Sequence, residues 1–169
     1  MKKSNFKTNK TKLYHKLINN KLMYDNKSVN RYKKDINKNF MVNSKDKGKV
    51  NLLEKLRSKI NSIKNCELKK NATNLVFSDG NPFAKIMIIG EGPGANEDKE
   101  GKPFVGRAGK LLDKMLEAIK LNRKNVYISN VVNFRPPMNR RPTDKEIERY
   151  LPFLVRHIEL INPKILLLL

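Results

Sequence analysis

Ile86-Met87-Ile88-Ile89-Gly90-Glu91-Gly92-Pro93-Gly94-Ala95-Asn96-Glu97-Asp98, followed by Pro103-Phe104-Val105-Gly106-Arg107-Ala108-Gly109, is an apolar run that breaks into glycines, carboxylates and one aromatic. A short apolar run bounded by Gly and Pro reads as a buried strand. In parallel α/β sheets, ligands sit beyond the carboxyl ends of such strands. Glu91, Glu97, Asp98 and Phe104 are therefore expected on an active-site rim.

Working outward, Leu52, Leu53, Leu56, Ile60 and Ile63 recur at helical spacing, so the pattern predicts an amphipathic helix from Asn51 to about Ile63. A short strand is expected at Leu75 to Phe77, and Lys85 to Gly90 is the first central strand. Gly106 to about Lys120 reads as a helix with a buried stripe of Ala108, Leu111, Leu112, Met115, Leu116 and Ile119. Asn125 to Ser129 follows as a strand. Thr143 and Glu146 form a capping-box signature for a further helix with Ile147, Leu151, Leu154 and Ile158 on its inner face. Pro152 is expected to kink or split that helix, and Pro163 to end it. Lys164 to Leu169 reads as an apolar strand of the kind buried within a parallel sheet. Alternating strands and helices make this an α/β chain built from βαβ units.

The first fifty residues differ in kind. Residues 1–50 are crowded with Lys and Asn, carry only Asp25, Asp35 and Asp46 as acids, and are expected to form a disordered basic tail ahead of a domain at 51–169. The formal net charge is +21, with an isoelectric point near 10.1, which attracts polyanions, nucleic acid foremost. No stretch of eighteen apolar residues is present, so no membrane span is expected, and the chain is read as cytoplasmic. A single cysteine, Cys66, excludes an internal disulfide framework.

Gly90-Glu91-Gly92-Pro93-Gly94, Glu97-Asp98, Phe104-Val105-Gly106-Arg107-Ala108-Gly109 and Asn130-Val131-Val132-Asn133-Phe134-Arg135-Pro136-Pro137 follow one another as in family 4 uracil-DNA glycosylases. The resemblance runs from about Leu52 to Leu169. It implies a three-layer uracil-DNA glycosylase-like fold with a parallel central sheet, incomplete on its C-terminal side, and hydrolysis of the N-glycosidic bond of uracil in DNA. By resemblance Phe104 stacks on the base and Asn130 pairs with its edge. An amide gives and accepts one hydrogen bond each, matching O4 and N3–H of uracil and not the reversed pattern of cytosine. Glu91 and Glu97 are assigned jointly to catalysis, positioning water or stabilising the positive sugar, and Glu97 also to excluding the thymine methyl. The main chain of Gly92 and Gly94 is expected to donate to the base or a phosphate. Arg107, Arg135, Arg140 and Arg141 are the expected DNA-binding cations.

Three departures accompany the resemblance. The family holds a [4Fe–4S] cluster on four cysteines. Here Cys66 is the one match, while Ile63, Phe134 and Tyr150 stand at the other positions, so no metal and no cofactor is expected. No His-Pro dipeptide occurs, so the family's catalytic His-Pro-Ser loop has no counterpart. The histidines are His15 and His157, the second read as a surface or helix-face residue. The chain is expected to be cut short after Leu169, with a second polypeptide as the source of the missing half. The alternatives are an inactive fragment or a non-catalytic basic nucleic-acid-binding protein. A nucleotide hydrolase using the glycine loop is disfavoured because no Gly-Lys-Ser/Thr follows it.

Overall fold

The computed structural model describes residues 44–169, so the expectation for residues 1–43 lies outside the described residues. The first helix, α1 (Ser44–Asn61), starts earlier than predicted and takes in Ser44–Val50, a stretch assigned above to the tail. Lys49 accounts for part of the extension: its ammonium donates to the carbonyl of Ile161 at 3.1 Å and lies over the Phe83 ring. After α2 (Glu67–Asn71) come β1 (Asp79–Gly80) and β2 (Ile86–Gly90). Two helices, α3 (Ala95–Glu100) and α4 (Arg107–Ala118), lead to β3 (Val126–Asn130). A long helix, α5 (Asp144–Ile161), then leads to β4 (Ile165–Leu168).

The sheet order is β1-β3-β2-β4, parallel throughout except for the two-residue β1. The predicted strand at Leu75 to Phe77 is irregular chain instead. Its backbone is held by side-chain and loop bonds, Val76 N–H to the Asn133 carbonyl at 2.9 Å and Ser129 Oγ to the Phe77 carbonyl at 2.8 Å.

Period-two alternation sorts the strand residues between two cores. Met87, Ile89 and Tyr127 face Leu53, Leu56 and Ile60 of α1 and Ile147, Tyr150 and Leu154 of α5. On the other face Ile88, Val126 and Ile128 meet Leu112 and Leu116 of α4. These are the three layers of the predicted α/β fold. Gly90 and Asn130, partners in the β2–β3 register, end their strands on the α4 face.

Several expectations are corrected. Pro152 neither splits nor ends α5, which runs 18 residues. The carbonyl that its missing N–H leaves unbonded belongs to Glu148, on an exposed face of the helix. The capping box at Thr143 is present, with Thr143 N–H donating to Glu146 Oε2 at 2.7 Å. The α4 stripe is narrower than predicted: Leu112 and Leu116 are buried, whereas Leu111, Met115 and Ile119 are 56–63% exposed. Successive residues turn by about 100°, so the Leu111–Met115 ridge points away from the strands that Leu112 and Leu116 cover. The strand expected to be buried, β4, pairs with β2 at one end of the sheet, and Ile165, Leu167 and Leu168 are about half exposed. By register, Ile165 and Leu167 share the α4 side with Ile86 and Ile88.

His157 is not a surface residue. It is buried, stacked on Phe77 at 4.6 Å, with Nε2 2.7 Å from Tyr127 Oη, which in turn bonds Ser78 Oγ. Burial lowers its pKa to about 4.

Candidate active site

The pairing of β2 with β3 continues past both strand ends. Val131 N–H donates to the Gly90 carbonyl at 2.8 Å and Val132 N–H to the Glu91 carbonyl at 3.2 Å. The glycine turn after β2 and the segment after β3 are thereby pinned side by side. Asn130 is buried, and its Nδ2 is the one buried side-chain polar atom without a hydrogen-bond partner among the described residues. Such an orphan donor costs about 1–3 kcal/mol.

Phe104 approaches the same point from the α3–α4 loop. A Cβ on Gly90 would lie 2.6 Å from Asn130 Oδ1 and 2.7 Å from two Phe104 ring atoms. Ring and amide therefore converge over one glycine, which must be glycine because any side chain there would fill their meeting point. They line a cavity of about 340 Å³ together with Gly92, Gly94, Glu97 and Arg107. Asn96, not anticipated from sequence, lies on its wall as well.

Glu97 is held by three backbone donors. Oε2 accepts from Gly94 N–H at 3.1 Å, and Oε1 accepts from Val105 N–H at 2.9 Å and Gly106 N–H at 2.7 Å. Gly94 and Gly106 are the N-caps of α3 and α4, so one carboxylate ties both helix starts together. Gly94 N–H is thus engaged within the loop. Asp98, placed above on the rim, is a structural residue instead. It is buried and accepts from Thr73 N–H at 2.9 Å and Asn74 N–H at 3.0 Å, while Asn74 Nδ2 donates back to its carbonyl at 2.7 Å. Its place one residue after Glu97 on a helix turns it by about 100°, away from the cavity and onto Thr73 and Asn74.

Of the remaining predicted residues, Glu91, Arg135, Arg140 and Arg141 do not line the cavity. Glu91 is partly exposed, and its nearest cation, Arg141 Nε, is 4.0 Å away at the edge of ion-pair range. Arg140 grips Glu146 with two parallel bonds of 2.7 and 2.8 Å, which hold the Glu146 carboxyl at about 2. Arg135 Nε donates to Asn139 Oδ1 at 2.7 Å. Arg141 is 87% exposed and Arg107 is exposed at the cavity mouth. A larger groove of about 850 Å³ lies between α1 and the 74–80 segment, lined by Glu54, Arg57, Asp79 and Lys102 among others. Asn130, which carries the orphan donor, lines the smaller cavity.

The four positions that the resemblance pairs with cluster cysteines belong to one core. Cys66, Phe134 and Tyr150 are buried in the core shared by α1 and α5, and Ile63 packs against it. Cys66 Sγ is 3.3 Å from Tyr150 Oη, and burial pushes the phenol's pKa up. One thiol hydrogen-bonded to a phenol, with Phe134 and Ile63 at the other two positions, does not fit an iron–sulfur cluster that needs four thiolates. No group of three or more His, Cys, Asp or Glu side chains able to hold a metal occurs among the described residues.

Known proteins share this arrangement of sequence. Over 118 residues the chain is 51% identical to the type-4 uracil-DNA glycosylase of Sulfurisphaera tokodaii, covering 69% of this chain and 54% of that one. It is 47% identical over 117 residues to the Archaeoglobus fulgidus type-4 enzyme, covering 69% and 59%. Against the Thermotoga maritima type-4 enzyme it is 45% identical over 118 residues, covering 70% and 62%. The chain thus spans between half and two thirds of the length of these curated relatives. Residues 77–169, which carry the sheet, the glycine turn, Phe104 and Asn130, match the family model of the uracil DNA glycosylase superfamily, and the chain belongs to that superfamily.

Proposed function

We propose that this domain grips a uracil base extruded from DNA and belongs to an enzyme that hydrolyses its N-glycosidic bond. The observation that carries the reading is the buried, unpartnered Asn130 Nδ2 beside the Phe104 ring in one cavity. A base entering there stacks on Phe104, gives N3–H to Asn130 Oδ1 and accepts at O4 from Nδ2. The main chain at Gly92 donates to O2. Glu97, fixed in place by its three N–H donors, stabilises the sugar cation from the cavity wall and leaves no room for a methyl at C5. Glu91, at the partly exposed rim, orients the water. In the reaction the C1′–N1 bond breaks, the water oxygen adds to C1′, and uracil leaves with a proton. Arg107 and Arg141 meet phosphates, with Arg135 and Arg140 shaping the loop beside them. A cytoplasmic location is part of the proposal, since the substrate is DNA. No described helix is long and apolar enough to cross a membrane.

A second polypeptide that covers β4 and α4 and completes the catalytic group is also proposed, on the strength of the exposed Leu111, Met115, Ile165 and Leu167. One experiment addresses both points: binding of a uracil-containing oligonucleotide against its thymine counterpart, with release of free uracil followed in parallel. Asn130→Ala and Phe104→Ala should each weaken uracil binding about 10- to 100-fold, as expected for losing about 1–3 kcal/mol of contact. Binding that ignores both substitutions would overturn the site. Uracil release by this chain alone would remove the need for a partner, whereas binding without release favours the non-catalytic alternative.

A cluster-free core is proposed from the Cys66–Tyr150 pair. Protein purified without chelators should carry no stoichiometric iron and show no visible absorption band. Iron near four per chain would refute this.

A further inference from the structure

We infer that Arg123 is a positioning residue for base recognition, acting by holding the backbone of Phe104. The inference rests on the base-binding reading above and adds to it a residue outside the cavity. Arg123 opens the short 3₁₀ turn Arg123–Asn125 ahead of β3, and its side chain is 24% exposed. Its guanidinium bonds two carboxylates and two carbonyls. Nε donates to Asp113 Oδ1 at 2.8 Å, Nη1 to Asp79 Oδ2 at 2.7 Å and to the Pro103 carbonyl at 3.1 Å, and Nη2 to the Phe104 carbonyl. A helix residue from α4 and a strand residue from β1 therefore fix the fork, and the fork fixes two consecutive carbonyls of the loop.

The loop needs such a hold. Phe104 has φ +55°, a left-handed conformation that a non-glycine residue occupies only when its surroundings compel it. With that backbone the ring is delivered to Gly90 and Asn130, while its carbonyl turns back toward α4. Released from Arg123, the residue is free to return to a negative φ, which swings the ring off the cavity. Lysine cannot reproduce the arrangement, because one ammonium lacks the planar fork that serves two carboxylates and two carbonyls at once.

The test uses the full chain, with Arg123→Ala, Arg123→Lys, Phe104→Ala and the Arg123→Ala/Phe104→Ala double variant. Each is assayed at a temperature where circular dichroism shows it folded. Arg123→Ala should cut the preference for a uracil over a thymine oligonucleotide about tenfold and leave thymine-oligonucleotide affinity unchanged. Arg123→Lys should recover part of the loss. The double variant should lose no more than Phe104→Ala alone, because both changes remove the same plate. Unchanged preference in Arg123→Ala, or losses that multiply in the double variant, would overturn the inference. Aromatic carbon NMR of the Phe104 ring separates this from the base-binding reading. Ring signals that shift in Arg123→Ala support positioning even if the wild-type chain shows no uracil preference, and signals that stay put refute it.

Discussion

Gly109→Ala is expected to cost at least about 3 kcal/mol of folding stability and to unseat Phe104. A Cβ at Gly109 would lie 1.6 Å from the Phe104 carbonyl oxygen and 2.1 Å from its carbon. Those are backbone atoms, so no rotamer change relieves the contact, and overpacking of this kind costs about 1–3 kcal/mol even where side chains can yield. The loop has little freedom to retreat. The carbonyl is bonded to Arg123, and the next two N–H groups are bonded to Glu97. Urea unfolding should show the midpoint falling with the slope unchanged. Base binding should fall as in Phe104→Ala. A variant with wild-type stability would mean that α4 can slide along the sheet to make room.

The second large effect is on pH dependence. His157 has a folded pKa of about 4 against an ordinary value of 6.5, and the cause is burial alone. The unfolded chain therefore binds a proton in a range where the folded chain refuses it, so stability rises with pH through that range. The contribution is fully present above about 6.5 and lost as pH falls toward 4. At about 1.4 kcal/mol per tenfold change, the whole amounts to about 3 kcal/mol. Glu146 enters only at the acid end of the window: held at about 2 by Arg140, it contributes stability that starts to be lost as pH falls through its ordinary 4.5. Unfolding free energies measured from pH 7 to 4 should slope downward in the wild type and run nearly flat in His157→Gln, which retains His15. Parallel curves would contradict a neutral, buried imidazole.

What could be read from the chain beforehand was whatever short-range chemistry determines. Thr143 and Glu146 announce a helix start because both halves of the capping box lie within one turn, and α5 begins there. Ile86–Ile89 announces a buried strand because no polar residue interrupts it. Phe104 and Asn130 were placed by resemblance; strand parity accounts for Asn130 on the α4 face, and the α3–α4 loop brings Phe104 to the same side. Other features depend on partners distant in sequence. Arg123 is one basic residue among 37, and nothing near it tells that Asp79, Asp113 and Phe104 converge on its side chain. Asp98 sits beside Glu97 in sequence, yet a helical turn gives it Thr73 and Asn74 as partners in place of a substrate. Periodicity assigned Leu111 and Met115 to the buried stripe, but apolar spacing cannot tell whether a distant element covers that ridge, and both are exposed. His157 carried no local mark of burial, because its cover comes from Phe77 and Tyr127.

The threefold grip of Glu97 has a consequence for fit. The glycine turn and the loop bearing the aromatic plate are not spaced by the sheet alone. They are spanned by one side chain, whose two methylenes set the gap between them. The width of the slot is thus calibrated by a half-buried strut, which ties the two jaws to each other as well as to the sheet.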